Sequence, residues 1–283
     1  MEQFTQFQVN GSALYGVLHL PEGDRATRGV VFLHGWSGTR CGPHDMLVKA
    51  ARAYCGAGVP SLRFDFRGRG ESQAEMMRCN LETMVQDTQA ACEELQEQAQ
   101  VEEVVLVGIC SGGEVAIGAG SLCPAATGMA LWSVPMVAAD RTASRRRKQL
   151  ANLGEYGRKL FRRETWQKAF SGQLNLGLIK RALSGKGGAG ETPTAGGNPE
   201  DAPPEPNIPW RERFDSFRGR LLFVYGTNDP TTPESVEHYR RMSAAAGIEA
   251  DFHLVEGANH AYYSLAWEKE VIDVTLDWLR RDV

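Results

Sequence analysis

Val104-Val105-Leu106-Val107-Gly108-Ile109-Cys110-Ser111-Gly112-Gly113 is the stretch on which the reading of this chain turns. The uncharged run of Val, Leu and Ile reads as a strand buried on both faces. It ends in a turn that only small residues can make, and a helix follows. Glycines at 108 and 112 flank residue 110 at the spacing of a Gly-x-nucleophile-x-Gly turn. Such a turn lifts the central side chain out of the sheet, and the next helix aims its first N–H groups at the same point. Serine is the usual occupant; here it is Cys110. A frame centred on Ser111 would need glycine at 109, where Ile109 stands, so Ser111 is read as a main-chain contributor.

Upstream, residues 3–9 and 12–20 read as two antiparallel strands joined at Asn10-Gly11, a favoured hairpin turn. Gly29-Val30-Val31-Phe32-Leu33 is a buried strand leading into His34-Gly35-Trp36-Ser37-Gly38. Helical spacing of Met46, Leu47, Ala50, Ala51 and Tyr54 predicts a helix over 43–57. A strand at 61–65 runs into Arg67-Gly68-Arg69-Gly70-Glu71-Ser72, and an amphipathic helix over 80–99 delivers the chain to the Cys110 turn. Beyond it come a small-residue helix to 122 and a strand at 128–132. The rhythm resumes with a strand at 220–225, a helix at 233–246, a strand at 251–255 and a terminal helix carrying Trp267, Val271 and Trp278. Strands alternating with helices mean an α/β fold, a mostly parallel sheet covered on both faces.

The rhythm breaks once. Residues 136–212 form a helical insertion, a lid on a core made of 1–135 and 213–283. The insertion is strongly basic, with Arg145-Arg146-Arg147-Lys148, Arg158-Lys159, Arg162-Arg163 and Lys180-Arg181, although the whole chain carries a formal charge of −4. A charge run is ordinarily a solvated face. Its segregation here also fits an anionic donor, such as a CoA phosphate or an acidic carrier protein. With Leu150, Leu153, Leu160 and Phe161 interleaved, it fits an anionic membrane surface as well. Residues 184–206 are rich in Gly and Pro and are expected to be mobile.

The acidic balance argues against dedicated nucleic-acid binding, and the arginine cluster lacks the interleaved aromatics that stack bases. No apolar run approaches the ~20 residues of a membrane span. The first residues have neither a basic nor an apolar leader segment. The six cysteines form no Cys-x-x-Cys pair, as expected of reduced thiols in a cytoplasmic protein. Cys41 and His44 have no second ligand pair behind them, so no metal is expected.

A nucleophile needs a base, a group to orient that base, and donors for the oxyanion. Cys110, Asp229 and His260 stand in the chain order nucleophile, acid, histidine, each just past the end of a predicted strand. Each also has a plainer reading. Cys110 could be a packed apolar thiol, Asp229 could cap the helix that starts near Pro233, and His260 could be an ordinary loop residue. The agreement of all three in type, order and position favours chemistry. The other histidines at 19, 238 and 253 fall inside predicted strands or a helix, and His34 is assigned to bracing its loop. The main-chain N–H groups of Trp36 and Ser111 are the candidate oxyanion donors. Trp132 and Trp166 are the candidate substrate contacts outside that centre. Asp65 through Ser72 reads as a glycine turn held by an Asp–Arg pair.

His34-Gly35, Asp65-x-Arg67-Gly68-x-Gly70-x-Ser72, Gly108-x-Cys110-x-Gly112-Gly113, Asp229 and His260 together resemble the α/β-hydrolase superfamily over nearly the whole chain. More narrowly, the chain resembles the hydrolases encoded beside the exosortase A system. Those share a cysteine-centred turn, a basic lid with a Trp-x-Lys…Ser-Gly segment and a Trp-x-x-Glu-Val…Thr-Leu-Asp-Trp-Leu end. Trp166-Gln167-Lys168, Ser171-Gly172, Trp267 through Val271 and Thr275 through Leu279 match them, while Ser111 replaces the family's acidic residue. Dienelactone-hydrolase-like enzymes and bile-acid-conjugating acyltransferases are similar in using a cysteine at this turn. The resemblance implies an α/β-hydrolase fold and an acyl-handling role near extracellular polysaccharide or protein-sorting genes; a small acyl substrate handled without a cofactor by a Cys110, His260 and Asp229 triad is expected alongside it. From cysteine chemistry, thioesters, lactones and other activated acyl groups suit it better than amides or alkyl esters, because a thiolate leaves more readily than an alkoxide. Hydrolysis, acyl transfer and a silent binding role on the same fold remain the open classes.

Overall fold

A computed structural model describes residues 1–23, 26–76, 79–137 and 208–281. Among these, eight strands form one sheet in the order β1-β2-β4-β3-β5-β6-β7-β8. They are β1 Glu2–Val9, β2 Ser12–His19, β3 Arg28–Leu33, β4 Ser61–Phe64, β5 Glu103–Ile109, β6 Ala126–Trp132, β7 Arg220–Gly226 and β8 Ala250–Val255. The first two are antiparallel to each other, and β2 is antiparallel to β4, while every later neighbour pairs parallel. A hairpin can close with two residues, so β1 and β2 pair at once around Asn10-Gly11. The parallel strands need crossovers, and helices supply them.

The described helices are α1 Met46–Gly56, α2 Leu81–Ala99, α3 Ser111–Gly120, α4 Trp210–Ser216, α5 Thr232–Ala246 and α6 Leu265–Leu279. Alternation along the strands divides the core. Val31, Leu33, Val104 and Leu106 face a layer containing α2 and α3, with Met84, Val85, Leu95, Val115 and Ile117. Val30, Phe32, Val105 and Val107 face the other layer, where Met46, Leu47 and Tyr54 of α1 meet Val271, Ile272 and Trp278 of α6. Both faces of β3 and β5 are therefore dry, which is why their sequences read as continuous apolar runs.

Two helices start later than expected, for local reasons. The helix expected from 43 starts at Met46, because Pro43–Asp45 makes a short 3-10 turn in which His44 and Asp45 have φ of 41° and 63°. The helix before β5 starts at Leu81, one residue later than expected, because Asn80 caps it. The Thr83 N–H donates to Asn80 Oδ1 at 3.0 Å, and the Asn80 N–H returns to Thr83 Oγ1 at 3.0 Å. Strand β6 ends at Trp132 and the next described strand, β7, begins at Arg220. Residues 138–207, which hold most of the expected lid, Trp166, the basic clusters and the expected mobile stretch, lie outside the described residues.

Candidate active site

Strands β3, β5, β6, β7 and β8 run parallel, so their C-terminal ends share one edge of the sheet. The chain reverses its direction of travel across the sheet beside β5, with β4 and β3 on one side and β6 to β8 on the other. That crevice is where an open α/β sheet accepts a ligand. Cys110 follows β5, Asp229 follows β7 and His260 follows β8, so three residues distant in sequence meet at one edge.

Cys110 adopts φ 56° and ψ −127°, a backbone region disfavoured for a side chain-bearing residue. Neighbouring groups hold it there: the Cys110 N–H donates to Trp132 O at 2.9 Å and the Gly113 N–H to Cys110 O at 2.9 Å. The flanking glycines are a steric necessity. A Cβ at 108 would lie 2.4 Å from Gly112 O, and one at 112 would lie 2.1 Å from Leu33 O.

His260 joins the other two residues. Its Nδ1 donates to Asp229 Oδ2 at 2.6 Å, and the Cys110 thiol is in hydrogen-bond contact with the imidazole. The helix-capping alternative for Asp229 is also partly realised, on its other oxygen. Oδ1 accepts the Thr231 N–H and the Thr231 hydroxyl, each at 2.9 Å. One carboxylate therefore fixes both the start of α5 and the imidazole.

The three groups share charge. Hydrogen bonds to Asp229 and to Cys110 raise His260 to about 10 against the opposing effect of burial. Burial pushes the Cys110 thiol up, but the hydrogen bond and charge of His260 and the Ser111 N–H bring it below the ordinary thiol range. Burial likewise raises the Asp229 carboxyl, and the His260 and Thr231 hydrogen bonds outweigh it. The arrangement favours a thiolate–imidazolium pair with a carboxylate behind it.

The histidine loop is tied down on three sides. Its Ala261 carbonyl lies 2.8 Å from His44 Nε2, and His44 Nδ1 lies 2.8 Å from Glu268. Buried Tyr262 donates its hydroxyl to Val224 O at 2.8 Å and accepts that of Ser133 at 2.9 Å. The Asn228 N–H donates to Ala258 O at 2.9 Å, which joins this loop to the one carrying Asp229. No sequence signal marked His44: its partners lie 217 and 224 positions further along the chain.

On the opposite wall, His34 braces its loop as expected. The Phe66 N–H donates to Nε2 at 3.3 Å, so the proton sits on Nδ1, which donates to Gly35 O at 2.8 Å. Burial lowers the His34 pKa to about 4 and keeps the ring neutral. Arg69 donates Nε to Trp36 O at 2.6 Å and lies 4.2 Å from the Trp36 ring centroid. The expected Asp–Arg pair of this turn is not internal. Asp65 pairs with Arg40, and Arg67 pairs with Asp87 of α2.

Two expectations for the surroundings need correction. Trp132 is fully buried against Phe32 and donates its indole N–H to Thr275 Oγ1 at 3.0 Å, so it belongs to the core rather than to a substrate surface. The Ser111 side chain, treated as indifferent from sequence, accepts the Trp36 N–H at 2.6 Å. Trp36 and Ser111 therefore do meet beside Cys110, through a side chain as well as through main-chain groups. Among the described residues, no group of three or more His, Cys, Asp or Glu side chains is placed to hold a metal. The six cysteines are free thiols, and no described helix is long and apolar enough to cross a membrane.

Known structures share this architecture. An esterase of Pyrococcus furiosus superposes with a TM-score of 0.64 at 18% identity, covering 99% of this chain and 91% of its own. Est1E of Butyrivibrio proteoclasticus, solved with ferulic acid, gives 0.63 at 16% identity, covering 98% of this chain and 100% of its own. A serine hydrolase homologue from Coxiella burnetii gives 0.60 at 14% identity, covering 98% of this chain and 97% of its own. At these identities the likeness is one of fold. A search of curated proteins found no sequence match. The α/β hydrolase family model matches residues 30–274, from β3 into α6 and across the whole constellation just described. The chain belongs to the α/β hydrolase family.

Proposed function

We propose that this hydrolase acts on activated acyl groups through a covalent acyl-cysteine intermediate on Cys110, with His260 as general acid and base and Asp229 as its orienting group. The observation that carries the reading is the convergence of Cys110, Asp229 and His260 at one edge of the sheet, with His260 Nδ1 2.6 Å from the buried Asp229 carboxylate. The thiolate attacks the acyl carbon, a C–S bond forms, and the carbonyl π pair moves onto oxygen beside the Trp36 and Ser111 donors. The oxyanion then collapses, the bond to the leaving group breaks, and the His260 imidazolium gives that group its proton. Water or another acceptor next loses a proton to His260 and clears the thioester, restoring the thiolate.

Cysteine narrows the substrate. A tetrahedral adduct expels the better leaving group, and a thiolate leaves more readily than an alkoxide or an amide nitrogen. Thioesters, lactones and aryl or similarly activated esters go forward, whereas simple alkyl esters and amides revert. The ferulate-bound and esterase neighbours support acyl-oxygen chemistry on this fold, and cysteine extends that class toward thioesters. The basic insertion suits an anionic donor such as CoA or an acidic carrier, or alternatively an anionic membrane face, and a cytoplasmic setting belongs to the same proposal. The likeness to hydrolases encoded beside the exosortase A system fits an acyl-handling step within that group.

Intact-protein mass spectrometry after mixing with acyl thioesters and matched alkyl esters tests the proposal. A single acyl adduct on Cys110, formed faster from the thioester, is expected. Its clearance with and without an added amine or thiol identifies the acceptor. Full turnover by Cys110→Ala, or preference for the alkyl ester, would overturn the reading.

A further inference from the structure

We infer that Ser111 serves the oxyanion through its side-chain hydroxyl, as a donor polarised by the Trp36 N–H, and not only through its main chain. The inference rests on the acyl-cysteine reading and deepens it. The Trp36 N–H donates to Ser111 Oγ at 2.6 Å, so the amide expected to point at the oxyanion already has a partner. A hydroxyl accepts and donates at once. Having accepted the Trp36 hydrogen bond, Ser111 keeps its own O–H to give, and among the described residues no acceptor takes it.

Position supports this role. Ser111 is the first residue of α3, directly after the nucleophile, and its N–H helps to lower the Cys110 thiol pKa. A Cβ built on Gly35 would lie 3.6 Å from Cys110 Cβ and 3.7 Å from Ser111 Oγ. The hydroxyl and the nucleophile's Cβ therefore both lie against Gly35, beside the Trp36 N–H.

The bonds behind the hydroxyl are aligned. The Gly35 carbonyl accepts from His34 Nδ1 at 2.8 Å and from the Gly38 N–H at 2.9 Å. That carbonyl belongs to the same peptide unit as the Trp36 N–H. Donation into one end of a peptide strengthens the donor at the other, and a hydroxyl that accepts a strong bond becomes a better donor. The relay runs from His34 through the Gly35–Trp36 peptide to Ser111 Oγ and on to the developing oxyanion. As the thiolate forms the C–S bond, the carbonyl oxygen gains charge and the Ser111 proton is shared with it without being transferred. On collapse the hydroxyl keeps its proton, and the leaving group takes one from His260. The alternative, a hydroxyl that merely plugs the Trp36 amide and must swing away, predicts the opposite effect of removing it.

Ser111→Ala and Ser111→Thr in the full chain, assayed for kcat and KM on an acyl thioester, separate the two. Losing one oxyanion donor costs about 10²–10³ in kcat, and the freed Trp36 N–H recovers part of it, so Ser111→Ala should fall about 10- to 100-fold in kcat with KM within ~3-fold. Ser111→Thr, which restores the hydroxyl, should recover to within about 5-fold of the parent. Unchanged or faster turnover by Ser111→Ala would overturn the inference, as would a Thr variant as slow as the Ala variant. Adduct mass in the same samples keeps the two readings apart. Acylated Cys110 with an indifferent Ser111→Ala sinks only the hydroxyl role, whereas full turnover by Cys110→Ala sinks the acyl-cysteine reading itself.

Discussion

Replacing Asp229 with asparagine tests the proposed chemistry most sharply, because the structure dictates how the amide must sit. Asp229 Oδ1 faces two donors, the Thr231 N–H and hydroxyl, each at 2.9 Å, and Oδ2 faces His260 Nδ1 at 2.6 Å. In Asp229→Asn the amide oxygen stays with the two Thr231 donors, which leaves the NH2 directed at His260 Nδ1. The imidazole must then accept at Nδ1 and carry its proton on Nε2. In that tautomer it cannot take a proton from Cys110. A misplaced tautomer of this kind costs a triad roughly 10³–10⁴ in rate, or about 4–5.5 kcal/mol of transition-state stabilisation.

The pH behaviour follows with a definite sign. His260 is raised from 6.5 to about 10 with the Asp229 hydrogen bond as the largest cause, so the alkaline limb of kcat/KM lies high in the parent and moves down in Asp229→Asn. A folded pKa above the unfolded one also means that the group's contribution to stability is whole below 6.5 and disappears as pH rises through about 10. The gap in melting temperature between parent and variant should close over that window. Stopped-flow acylation across pH 5–11, with melting curves in the same buffers, reads both effects. A variant within tenfold of the parent and an unmoved alkaline limb would refute the reasoning.

Two further substitutions test the scaffold. Gly112→Ala would place a methyl 2.1 Å from the Leu33 carbonyl and 2.7 Å from that of His34, backbone groups that cannot yield. A loss of about 3 kcal/mol or more is expected, read by chemical denaturation. Gly56→Ala, with nothing within 4 Å, is the neutral control. Trp132→Phe removes a buried hydrogen bond to Thr275 and part of a core ring, and should lower stability by about 2–4 kcal/mol while leaving kcat/KM within ~3-fold. A large loss of kcat/KM in a stably folded Trp132→Phe would return that residue to the substrate.

Much of the site was legible because its physics is local. Only glycine fits at 108 and 112, so the tight turn announces itself in one dimension, and apolar runs bounded by glycine mark strands whose ends must share an edge. Chain order then assigned Asp229 and His260, although which oxygen of Asp229 serves which partner could not be read. Trp132 shows the limit. From sequence it was an aromatic near the site, but strand alternation turns it inward onto Thr275, 143 positions away.

The alternation of strands and helices, the Cys110 turn and the order of the candidate triad can be read in one dimension, since each follows from short-range sterics and periodicity. The pairing of His44 and Glu268 behind the histidine loop, the split duties of Asp229, and the meeting of Ser111 Oγ with Trp36 exist only once the chain is folded. Those are contacts between side chains or loops brought together by the sheet. A serine after the nucleophile looks the same in sequence whether its hydroxyl is idle or bonded. The neighbouring strand end sets that choice, by placing an N–H 2.6 Å away.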